Sequence, residues 1–283
     1  MFGFLNIYKP KGKTSHDVVA VLRRITKIKQ IGHTGTLDPF AEGVLPICIG
    51  KSTRLIEFLN DDKAYVATVK LGSSTTTYDL EGEVANTSPK IVSLKEIEPL
   101  LKSFNGEIEQ YPPIYSAIKV NGKKLYDYAR KGEEVEIKPR KVFISEIKII
   151  DFDEKNQVLE LYVACSKGTY IRSIANDLGE KLGTFAHLIK LVRTKAGIFD
   201  IKNALQLEDI DTSEKIESNL INPLNCLDYA KYSINEIEKN KISNGNSIKI
   251  DIPKGTVILI DENKIAAIGD VENGIFKCKK VFI

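Results

Sequence analysis

Gly32-His33-Thr34-Gly35-Thr36-Leu37-Asp38-Pro39, continuing through Phe40-Ala41-Glu42-Gly43 to Val44-Leu45-Pro46, is the stretch on which the reading of this 283-residue chain turns. Glycine at 32, 35 and 43 admits positive φ and close backbone approach, and Pro39 pushes Asp38 out of the helical region. The run therefore reads as a loop, neither helix nor inner strand, that presents one carboxylate with little other charge around it. Asp38 has two readings at this level. It is an Asx-turn cap on nearby N–H groups, or a carboxylate displayed for chemistry.

Working outward, residues 3–9 alternate as a short strand, and Thr14-Ser15 caps a helix carrying Val18, Val19, Leu22 and Ile25 at helical spacing. Downstream, the pattern predicts a short helix at 52–59, a strand at 64–71, a turn at Asp79, and a helix over 93–104 that Pro99 kinks or shortens. Asn121-Gly122 marks a hairpin, with strands expected at 134–138, 141–152 and 157–165. A helix over 169–182, stopped by Gly183, and a strand at 187–193 follow. Beyond the polar stretch 233–248, strands are expected at 255–260, 264–269 and 275–282. Strands and helices mix without a regular βαβ period. The expected fold is α+β, a mixed and mainly antiparallel sheet with flanking helices, plus a small C-terminal all-β unit. The division expected is 1–230 and 231–283.

Composition narrows the chemistry. With 42% hydrophobic and 28% charged residues the chain reads as an ordinary soluble protein. No run approaches the ~18 apolar residues of a membrane span, and no charged region precedes an apolar one at the start, so a cytoplasmic location is expected. The four cysteines and three histidines are scattered without metal-ligand spacing. Lys11-Gly12-Lys13-Thr14 resembles the end of a P-loop, but Ile7 stands where that motif needs glycine. Neither a cofactor nor a metal is expected. A net charge of +3 proves no nucleic-acid partner, yet Lys9, Lys11, Lys13, Arg23, Arg24, Lys27, Lys29 and later Lys119, Lys123, Lys124, Arg130, Lys131 flank loops, which suits a phosphate backbone. The strongest remaining chemical candidate is a carboxylate acting alone. An Asp can serve as nucleophile or electrostatic stabiliser at an anomeric carbon, and inside a dry pocket it needs a cation to stay ionised.

The run from Gly32 to Gly50 resembles the catalytic motif of the TruB family of tRNA pseudouridine synthases. Asn6 to Ser15 resembles the family's first motif, and Lys63-Ala64-Tyr65 leading to Leu71-Gly72 its tyrosine motif. Cys165 to Ile174 resembles its arginine motif, and Ala186 to Thr194 the strand that closes the pocket. Thr76 and Val192 depart from the family pattern. The resemblance implies a pseudouridine synthase fold with a PUA-like C-terminal domain, no cofactor, and a monomer acting on the T-loop uridine at tRNA position 55. It implies Asp38 at the uridine C1′, Arg172 paired with Asp38, and Tyr65 stacked on a flipped-out base and able to take the C5 proton. Tyr170 and Leu191 would line the pocket, His33 would touch RNA where the nucleotide leaves, and Asp79 would add a polar group or support Arg172. Two other readings use the same residues, a non-catalytic tRNA-binding or tRNA-folding protein and a hydrolase of free nucleosides.

Overall fold

The computed structural model describes residues 1–283. The first strand, β1 (Gly3–Lys9), runs into helix α1 (Ser15–Thr26), whose capping box pairs Thr14 with Asp17. A short strand β2 (Ile31–His33) precedes the Asp38 loop, and β3 (Glu42–Ile49) leaves it. Next come β4 (Lys63–Leu71), helix α2 (Leu94–Lys102), β5 (Gly106–Gln110), β6 (Arg140–Asp153) and β7 (Val158–Cys165). Helix α3 (Ile171–Leu182), ended by Gly183 in the left-handed conformation, leads to β8 (Ala186–Ala196).

These strands form one sheet in the order β1-β3-β8-β4-β7-β6-β5, with Leu205–Gln206 beyond β1 and β2 on the side of β3. The contact of β3 with β8 is parallel, and the other pairings along β1 to β5 are antiparallel. Strict alternation runs along β7 and most of β4. Along β7 every second residue, Leu159, Leu161, Val163 and Cys165, is buried, and helices α1, α2 and α3 pack on that face.

Four local expectations are corrected. Residues 42–46, read as loop, belong to the inner strand β3, paired with β1 over seven residues; Pro46 fits because the N–H it lacks would face the side of β2, whose pairing ends at His33, and its carbonyl there takes the Thr34 N–H at 3.1 Å. Of the three loop glycines only Gly43 has positive φ, at 106°. Residues 134–138 form no strand: the start of β6 pairs with β5 instead, and of these residues only Val135 and Ile137 are even half-buried. The helix expected at 52–59 is a run of 3₁₀ turns over Gly50–Phe58. Helix α2, by contrast, is as expected of a segment holding Pro99: it is short and stops at Lys102.

The C-terminal strands β9 (Ala230–Ser233), β10 (Ile248–Lys249), β11 (Gly255–Asp261), β12 (Lys264–Glu272) and β13 (Ile275–Val281) form a second, five-stranded sheet. The polar approach is not featureless. Asn235 and Glu238 make a capping box for a helix over Glu236–Ser243.

Candidate active site

The Asp38 loop is held through its backbone. The Ser15 hydroxyl accepts from the Leu37 N–H at 2.9 Å and lies 3.2 Å from the Leu37 carbonyl. The Pro39 carbonyl takes the Gly12 N–H at 2.8 Å and the Lys9 ammonium at 3.4 Å. From below, the guanidinium of Arg193 donates to the carbonyls of Val44 at 2.6 Å and Gly35 at 3.1 Å. With the main chain satisfied in this way, the side chain of Asp38 is left free for another partner.

That partner is Arg172, on the first turn of α3. Its Nε lies 3.0 Å from Asp38 Oδ2 and its Nη2 donates to Oδ1 at 3.2 Å, the side-on fork geometry of a guanidinium on a carboxylate. Both oxygens of Asp38 are therefore turned toward the arginine, and neither caps the backbone, so this residue is not the Asx-turn cap of the first reading. The rest of the guanidinium is equally occupied. Nη2 also donates to the Tyr115 carbonyl at 3.1 Å, and Nη1 to the Thr77 carbonyl at 3.2 Å with Asp79 Oδ2 3.4 Å away. Five N–H groups meet five acceptors, so the arginine has one orientation. Burial pushes the Asp38 carboxyl above the usual carboxylate range, and the Arg172 charge opposes that rise.

Around this pair lies a cavity of about 910 Å³, into whose lining the structure brings Asp38, Tyr65, Tyr170, Arg172 and Leu191. Tyr65 projects from β4 into apolar surroundings. Burial pushes its hydroxyl up to about 12, with the neighbouring Arg193 guanidinium acting against it. Asp79 does not line the cavity; it is buried behind Arg172, in the turn that follows β4. His33 also lies outside the lining, half-buried on β2, its Nδ1 without a partner and its pKa held down by burial. Thr76 is exposed at the Asp79 turn and meets neither Asp38 nor Arg172.

Two residues beneath the loop escaped the sequence reading. Arg193 is fully buried and sits next to Val192, one of the two departures from the family pattern. Lys9, counted there among the cations facing phosphate, is fully buried and donates to the carbonyls of Pro10 and Lys13 besides Pro39, so it is a support of the loop. The usable signal was a charge at an inward-facing strand position, which is rare unless every donor is satisfied.

Comparison with known proteins agrees with this geometry. Residues 23–171 match the family model described as the N-terminal domain of TruB family pseudouridylate synthases. Residues 172–230 match that of the tRNA pseudouridylate synthase B C-terminal domain. The chain is 42% identical over 285 residues to the tRNA pseudouridine synthase B of Caldanaerobacter subterraneus subsp. tengcongensis, covering 99% of each. It is 44% identical over 279 residues to that of Oceanobacillus iheyensis, covering 95% of this chain and 92% of the other. Among solved structures, a chain of a Cbf5-Nop10-Gar1 complex superposes with a TM-score of 0.71 at 25% identity, covering 100% of this chain and 85% of that one. An uninterrupted match over nearly the whole length, joined to an aspartate–arginine pair in a tyrosine-lined cavity, leaves one conclusion: the chain belongs to the TruB family of pseudouridylate synthases.

Proposed function

We propose that this enzyme isomerises the T-loop uridine at position 55 of tRNA to pseudouridine, acting as a monomer and without a cofactor. The observation that carries the proposal is the two-point contact of Arg172 with Asp38 at the edge of a cavity faced by Tyr65. Isomerisation requires the bond between C1′ and N1 to break, the freed base to turn, and C5 to bond to C1′ while the C5 proton leaves. Asp38, kept ionised by Arg172, stands ready to attack C1′ or to stabilise the positive charge that develops there. Asp79, behind the guanidinium, holds Arg172 from its other side.

Tyr65, Tyr170 and Leu191 enclose a flipped-out base, and stacking on an aromatic ring offsets part of the few kcal/mol that extrusion costs. The Tyr65 hydroxyl is neutral at physiological pH, so stacking is its first role; at the end of the reaction it relays the C5 proton by giving its own hydroxyl proton to solvent water in the cavity, while N1, freed from C1′, gains a proton from the same solvent. His33 fills the gap the nucleotide leaves in the RNA. Residues 1–230 carry the chemistry, and residues 231–283, PUA-like in architecture, touch the tRNA away from the T-loop.

Incubation with unmodified tRNA, followed by mapping of pseudouridine at nucleotide resolution, tests this directly; a single product site in the T-loop is expected. Asp38→Asn should abolish product while tRNA binding stays within about twofold, because the amide keeps the shape and loses the charge. Normal turnover by that variant would overturn the assignment of Asp38.

A further inference from the structure

Asp79 reaches Arg172 with only one of its two oxygens. The other, Oδ1, accepts from the Thr77 hydroxyl at 2.5 Å and from the Glu81 N–H at 3.0 Å. The Thr77 hydroxyl also lies 3.3 Å from the Asp79 carbonyl, but that carbonyl already takes the Thr75 hydroxyl at 2.6 Å. A hydroxyl has one proton, and the charged, nearer acceptor takes it. Thr77 therefore addresses Arg172 twice, directly through its carbonyl and indirectly through the carboxylate that its hydroxyl holds.

The surrounding turn is shaped to keep this arrangement. Tyr78, between Thr77 and Asp79, sits at a φ of 62°, a region that bulky residues avoid. Across the turn, a Cβ added at Gly82 would lie 2.4 Å from the Thr77 hydroxyl oxygen and 2.7 Å from its backbone nitrogen, so no side chain fits there while Thr77 is in place. A positive φ at one position and an obligatory glycine at another thus border Thr77.

Resting on the reading of Asp38 and Arg172 given above, we propose that Thr77 is a positioning residue for pseudouridine formation. Its hydroxyl anchors Asp79 so that a single oxygen faces Arg172, which leaves the guanidinium forked on Asp38. Without the hydroxyl, Oδ1 of a buried carboxylate keeps only the Glu81 N–H. The carboxylate then turns to offer both oxygens to Arg172 and draws it away from Asp38.

Thr77→Val preserves shape and removes the donor. Its kcat for pseudouridine formation in tRNA should fall roughly tenfold with KM and melting temperature little changed, as expected for loss of a hydrogen bond to a charged group that orients a reacting one. Thr77→Ser should retain the wild-type rate, and Thr77→Ala, a second variant without the hydroxyl, should show the same loss as Thr77→Val. Asp79→Asn should be slow, and adding Thr77→Val to it should cost nothing more, since the hydroxyl acts through Asp79. Wild-type kcat in Thr77→Val and Thr77→Ala, failure of Thr77→Ser to retain the rate, or losses that multiply in the double variant would overturn the proposal. Asp38→Asn measured alongside separates the two readings: if it is inactive while Thr77→Val is unimpaired, only the role of Thr77 fails.

Discussion

At the scale of single residues, the Asp38 loop depends on a cation with no access to water. Lys9 is fully buried, and burial brings its pKa down to about 8, against the pull of Asp38 and Glu42 in the other direction. Below pH 8 the folded and unfolded chains both hold the proton, so the difference between them is constant. Between about pH 8 and 10.5 the folded protein has released it and the unfolded chain has not. From this group the unfolded state then binds more protons, and the contribution of Lys9 to stability rises with pH across that window, by up to about 3 kcal/mol. Urea unfolding of the wild type and of Lys9→Met, compared at pH 7, 9 and 10, should show the wild type gaining on the variant as pH rises. A gap independent of pH would mean that Lys9 keeps an ordinary pKa in the fold.

At the scale of elements, β3 explains both what the sequence reveals and what it conceals. The alternation of β4 and β7, the cap of α1 and the glycine stop of α3 follow from one buried face per element, and all were readable from spacing. Strand β3 has two. Leu45, Ile47 and Ile49 point into the core beneath the helices, while Val44 and Cys48 point into a second core, so its apolar residues run on without a period. Gly43 and Pro46 then make the run look like a loop. The same site residues were legible in part: Asp38, Tyr65, Tyr170, Arg172 and Leu191 stand in motifs and do meet, whereas Arg193 and Lys9 act from inside the sheet, where no local pattern marks a charge. Gly43 itself is where β3 and β8 close on each other. An added Cβ there would sit 2.3 Å from the Arg193 carbonyl oxygen, in a backbone conformation that alanine resists. Gly43→Ala should therefore cost about 3 kcal/mol or more and loosen the Asp38 loop by displacing Arg193. Gly32→Ala, whose nearest neighbour would be Thr53 Cγ2 at 3.8 Å, should fall within about 0.5 kcal/mol of wild type. Equal denaturation midpoints for the two variants would reject this account.

At the scale of the whole molecule, the C-terminal sheet is part of the structure that holds the Asp38 loop. Ile258, Ile265, Ile268 and Phe282 share one apolar cluster with Phe4 of β1, Val44 and Cys48 of β3, and Leu55 and Phe58 of the 3₁₀ segment. The seam is also polar at its rim: Lys51 donates to the Phe282 carbonyl at 2.8 Å, Arg54 to that of Val281 at 2.8 Å, and Lys280 pairs with Glu57 at 3.0 Å. Deleting residues 231–283 would bare the second face of β3, the strand whose first residues close the Asp38 loop. Exposed apolar patches of that kind favour association and lower stability. The full chain should accordingly unfold in one cooperative transition followed by fluorescence and circular dichroism alike. The shortened chain should melt lower, bind a hydrophobic dye, and lose kcat as well as affinity for tRNA, because the loop loses its backing along with any RNA contact beyond it. Two separate transitions in the full chain, or a truncated protein with unchanged melting temperature and kcat but weakened tRNA binding, would show instead that the sheet serves only as an RNA-binding appendage.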